Sequence, residues 1–83
     1  MGDTQRAKSE TEARFRRTLG RRLAGERRRR RLTQADIHRR TGLSIEYISR
    51  TENGRENPTI LTLRDWVRSG LRERVATLLR GIA

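Results

Sequence analysis

Residues 32–58, LTQADIHRRTGLSIEYISRTENGRENP, constrain the fold more than any other stretch of this chain. Thr33 is placed to cap a helix that opens with Gln34, and Asp36, three residues on, completes a weak capping box. Ile37 is the apolar anchor of that helix. Thr41-Gly42 ends it, because glycine accepts the left-handed conformation that follows a helix C-terminus. Ser44 then caps a second helix, in which Ile45, Ile48 and Thr51 keep helical spacing until Asn53-Gly54 stops it. The segment therefore reads as a helix, a tight turn and a second helix, over residues 33–52.

The remaining composition narrows what such a unit can do. At 83 residues the chain is one domain near the small end of what folds alone, and only 31% of it is hydrophobic. A core that small gains stability readily from a partner subunit or from a bound ligand. There is no cysteine, so disulfides and thiolate metal sites are out, and the chain suits a reducing cytoplasm. No apolar run approaches a membrane span or a signal peptide, so no membrane partner is expected. The net charge is +11, which implies a polyanionic partner, and nucleic acid is the commonest. Arginine outnumbers lysine twenty to one. Its planar fork suits phosphate, although a GC-rich genome gives the same bias.

Residues 1–8 are polar, lack apolar periodicity and are expected to form a disordered N-terminal arm. The folded domain is expected over 9–83. Ser9 and Glu12 make a second capping box, and Phe15, Leu19 and Leu23, four apart, predict the buried stripe of a first helix. Gly20 and Gly25 weaken it. Arg27 to Arg31 form a five-arginine run at its end, where cations complement the helix dipole; most are expected in solvent or near phosphate, since five cannot share one face. Pro58-Thr59 opens a fourth helix that carries Ile60, Leu63, Trp66 and Val67 toward the core and stops at Gly70. Leu71, Val75, Leu78, Leu79 and Ile82 form the stripe of a last helix over 71–82. The fold class is all-α: five helices with short connections.

Two short helices joined as in 33–52 are the device that lays the second one in the DNA major groove. The segment resembles the helix-turn-helix of the lambda-repressor-like (Cro/cI, or XRE) family. Leu-Thr-Gln, Thr-Gly-Leu-Ser, Tyr-Ile-Ser, Glu-Asn-Gly-Arg and Asn-Pro-Thr stand in that family's order and spacing. The resemblance implies a compact five-helix DNA-binding domain. It also implies that Arg27 pairs with Glu52 and that Ile45, Glu46, Ser49 and Arg50 reach base edges. Gln34, Ser44, Tyr47, Asn53, Arg55 and Asn57 are then the phosphate-facing set, with the ring of Tyr47 equally able to serve packing. By their chemistry Arg50 suits guanine, Glu46 the cytosine amino group and Ile45 a thymine methyl. Glu46 is equally suited to an i, i+4 pair with Arg50, and the two roles are not exclusive. His38 stands where the family usually has alanine, which implies a wider helix crossing or an imidazole turned to solvent. Thr51 is a milder departure, in place of Leu or Ile.

Nothing indicates an enzyme or a cofactor. Ser44 and Ser49 lack an activating base, and one histidine without thiols is no metal site. Nor is a small-molecule effector evident. The expected function is a sequence-specific transcriptional repressor working as a homodimer on a palindromic double-stranded DNA operator, cytoplasmic and encoded by a prokaryote, phage or plasmid. Leu78, Leu79 and Ile82 are the expected dimer interface. The alternatives are an antitoxin or restriction–modification controller with the same motif, or a less specific nucleoid or RNA-binding protein.

Overall fold

The computed structural model describes the backbone of residues 2–80 and the side chains of residues 8–80. Five α-helices follow one another: α1 (Gly2–Arg29), α2 (Gln34–Thr41), α3 (Ile45–Glu52), α4 (Ile60–Asp65) and α5 (Val75–Leu79), with a π-helical turn (Trp66–Gly70) continuing α4. No strand occurs among the described residues. α1 packs on α3, α2 packs on α3 and on the π-helical turn, and α5 closes against α1 and that same turn.

Local signals place the central elements. Thr33 caps α2 with both halves of the box present: Asp36 N donates to Thr33 Oγ1 at 3.0 Å and Thr33 N donates to Asp36 Oδ2 at 2.7 Å. The bond from Thr33 N holds the Asp36 carboxyl below its usual range. Gly42 takes φ 80° and returns its N–H to His38 O, so the chain reverses in a few residues. Ser44 Oγ accepts from Tyr47 N at 3.1 Å and starts α3. At the end of α1, Leu32 N donates to Arg27 O and Arg31 N to Arg28 O, a Schellman closure with Arg31 at φ 57°, where glycine is the usual residue.

One core joins the elements. Leu19, Leu23, Ile37, Ile48, Leu63, Trp66, Val67, Leu71 and Leu78 form it, with Leu32, Leu43, Tyr47 and Val75 packed around the edge. Thr51, the milder departure, is buried, and its hydroxyl donates to Tyr47 O one turn back at 2.8 Å, so that hydroxyl is not orphaned. His38 takes the second option that the sequence left open. Its ring is exposed at the end of α2, with Nδ1 2.6 Å from Leu43 O.

Four expectations about the periphery are corrected. Residues 2–8, expected to be disordered, belong to α1, which also runs through Ser9 rather than starting there. A polar segment without apolar periodicity has nothing to bury. It still propagates a helix whose nucleus the core already holds, through the good helix formers Gln5, Arg6, Ala7 and Lys8 and without a proline. Phe15 is 50% and Ile60 68% exposed, because α1 and the start of α4 extend past the core. The last helix is α5 alone: residues 71–74 are non-helical, and Arg72 sits at φ 57°. Leu78 is 1% exposed and belongs to the core of its own chain, so it cannot face a partner. Leu79 is partly exposed, and Ile82 lies outside the described residues.

Candidate nucleic-acid interface

α3 presents two faces of opposite character. Ile48, Thr51 and Glu52 are buried, while Ile45, Glu46 and Arg50 are exposed and Ser49 is half-buried beside them. Tyr47 is half-buried and packs on the core. α3 can lie this close to α1 because Gly20 has no side chain. A Cβ there would stand 2.4 Å from Thr51 O and 2.6 Å from Glu52 O.

Beneath the exposed face, Arg27 and Glu52 form a bidentate pair. Arg27 Nε donates to Glu52 Oε2 at 2.8 Å and Nη2 to Oε1 at 2.9 Å, while Nη1 donates to Leu32 O. Both side chains are buried, and the hydrogen bonds to Glu52 raise the Arg27 pKa further above its ordinary value. A buried pair of this kind gains little over an apolar pair, but removing one partner costs about 3–5 kcal/mol, because the other charge is stranded. It fixes the C-terminus of α3 to α1. Gln34 Nε2 also donates to Glu52 Oε1 at 3.1 Å, so the first side chain of α2 is tied to this pair rather than swinging free.

The other expected residues fall around that centre. Gln34 and Asn53 line a polar groove together with Arg21, Ala24, Arg28 and Glu52. Asn53 is exposed and caps α3 by donating from Nδ2 to Ser49 O at 2.8 Å. Arg55 is exposed, with its backbone N–H returned to Arg50 O. Ser44 is exposed and spends an oxygen lone pair on its cap, which leaves the hydroxyl proton for an acceptor. Asn57 lies farther out, on a groove formed with Thr11, Glu12, Phe15 and Arg16 of α1. Residues 33–57 thus bring together the α2 N-terminus, the outward face of α3 and the loop after it.

Two features of the site were missed from sequence. Arg50 is paired with Glu56 (Nε–Oε1 3.0 Å) on the loop, not with Glu46, so its guanidinium is steered by a carboxylate beyond the end of α3. A spacing of six across a helix stop carries no sequence signal for that contact. The arginine run is also less free than expected. Glu26, itself buried, takes Arg30 at 2.5 Å and Arg29 at 2.7 Å, and Arg30 reaches on to Glu73 at 2.7 Å.

This chain belongs to the helix-turn-helix domain family, whose profile matches residues 18–80. The lambda-repressor-like kind is compatible with that match. Among similar proteins is one named as an uncharacterized HTH-type transcriptional regulator, y4dJ, from Sinorhizobium fredii (strain NBRC 101917 / NGR234). It is 44% identical over 49 residues, which cover 59% of this chain and 64% of that protein. Among the described residues no helix is long and apolar enough to cross a membrane.

Proposed function

We propose that the protein is a non-catalytic, DNA-binding transcriptional regulator that represses as a cytoplasmic homodimer on a palindromic operator. The observation that carries this reading is the outward face of α3. Ile45, Glu46, Ser49 and Arg50 are displayed between a capped helix N-terminus and a polar loop, on a chain of net charge +11. The name of the similar Sinorhizobium protein supports the regulatory role. Bases are read by Ile45, Glu46, Ser49 and Arg50; Gln34, Ser44, Tyr47, Asn53, Arg55 and Asn57 hold backbone phosphates. A single recognition helix reads too few base pairs to be specific against a genome. Two act together, about 34 Å apart on the duplex, and the operator is an inverted repeat. Occupying DNA that polymerase needs is sufficient for repression.

Selection of duplexes from a random library, followed by footprinting and sedimentation, tests this reading. The expected product is an inverted repeat bound by two chains, at a specificity ratio of roughly 10³ or more over mixed sequence. Arg50→Ala should cost about 1–3 kcal/mol on that site and relax preference at one base pair per half-site. Arg55→Ala should weaken all sequences alike. Enrichment of no sequence would instead favour a nucleoid-type protein, the alternative that the net charge supports.

A further inference from the structure

The arginines from Arg17 to Arg30 fall into two populations. Arg22, Arg29 and Arg30 surround Glu26 at 3.5, 2.7 and 2.5 Å, and Arg27 is spent on Glu52. Arg17, Arg21 and Arg28 are exposed and have no ion-pair partner among the described residues. Their spacing, i, i+4 and i+11, puts them within about 40° of one another on the helix circumference. Glu26 and the arginines around it sit on the opposite side of the helix, and Glu52, which shares a groove with Arg21 and Arg28, is taken by Arg27.

This unpaired row is continuous with the candidate DNA surface. Arg21 and Arg28 line the same polar groove as Gln34 and Asn53. Farther back, the backbone of Arg17 supports the loop after α3: a Cβ on Gly54 would stand 3.0 Å from Arg17 Cα. Over eleven residues the row extends roughly 16 Å along the helix axis. That is the axial rise of about five nucleotides of one DNA strand. Like charges so aligned repel each other unless an anion lies along them.

We propose that Arg17, Arg21 and Arg28 form a second phosphate-binding row, on α1, that holds the DNA backbone flanking the bases faced by α3. The ligand is a run of phosphodiesters, and the row contributes affinity without sequence preference. This inference rests on the DNA-binding reading above.

The salt dependence of duplex binding tests it. In the triple variant Arg17→Gln/Arg21→Gln/Arg28→Gln, glutamine keeps the Cβ and Cγ atoms that pack beside the loop. The slope of log K against log salt should flatten by about 2–3 units on a mixed-sequence duplex. The ratio between selected and mixed duplexes should stay unchanged. A charge-matched triple on another surface, Arg64→Gln/Arg68→Gln/Arg74→Gln, should leave the slope close to that of the wild type. Equal flattening in both triples would reduce the effect to net charge and overturn the row, as would no flattening in the first. Should the first triple lose helicity, wild-type protein decides on duplexes with methylphosphonates at the flanking positions. Weaker binding supports the row, and unchanged binding overturns it. Wild-type protein that binds no duplex at all would instead overturn the DNA-binding reading, and the row with it.

Discussion

Two glycines of α1 show how tertiary contact reverses a local preference. Helix propensity alone favours alanine at both Gly20 and Gly25 by about 1 kcal/mol. Nothing lies within 4 Å of a Cβ at Gly25, so Gly25→Ala should stabilise the fold by about 0.5–1 kcal/mol. At Gly20 the added carbon meets the backbone carbonyls of Thr51 and Glu52, which cannot step aside without moving α3. Gly20→Ala should therefore destabilise by about 1–3 kcal/mol and shift α3, lowering DNA affinity as well if α3 reads bases as proposed. Opposite signs in thermal melts of the two variants are the expected result. A gain at both positions would mean that α1 and α3 do not approach this closely.

The C-terminal end of α1 is held by a carboxylate rather than by apolar packing. Glu26 is buried, and the hydrogen bond from Arg30, reinforced by the charges of Arg29, Arg30 and Arg22, holds its pKa below the ordinary carboxylate value against the cost of burial. A carboxylate whose pKa is depressed on folding stabilises the folded state above its unfolded pKa. It loses that contribution as pH falls through the folded pKa. Because Arg30 also reaches Glu73, the same proton loosens the segment between the π-helical turn and α5. Glu26→Gln should cost about 1–3 kcal/mol at neutral pH. The gap between variant and wild type should close as pH falls through the lowered folded pKa of Glu26, once both are uncharged at this position. A gap of equal size in neutral and acidic melts would show that Glu26 acts through shape alone.

Among the described residues, ten apolar side chains are buried in a single small core, while Phe15, Ile45, Ile60, Leu61 and Leu79 remain exposed. With 31% hydrophobic residues, α5 cannot both cover that core and present Leu78 to a partner. Leu78→Glu should therefore abolish cooperative helical melting instead of yielding a folded monomer, since it buries an unpaired charge where Leu→Ala alone costs about 2–5 kcal/mol. Leu79→Glu, at a partly exposed position, should stay within about 0.5 kcal/mol of wild type. A folded Leu78→Glu protein would show that α5 is dispensable to the domain.

The turns and caps from Thr33 to Asn53 were legible in the chain because each depends on residues within four positions of one another. Thr33 with Asp36, Gly42 after Thr41, and Ser44 before Ile45 each satisfy backbone groups locally. Helical periodicity likewise marked Leu19, Leu23, Ile37, Ile48 and Trp66 as core. Periodicity says which residues share a face, not whether another element covers it. Phe15 and Ile60 therefore share their helices' apolar faces and yet stand in solvent, while Leu78 is enclosed. The steering of Arg50 by Glu56, the reach of Arg30 to Glu73 and the close approach at Gly20 follow from where helices end up in space. Such contacts join residues whose separation along the chain, 6, 43 and 31 positions, follows no helical repeat.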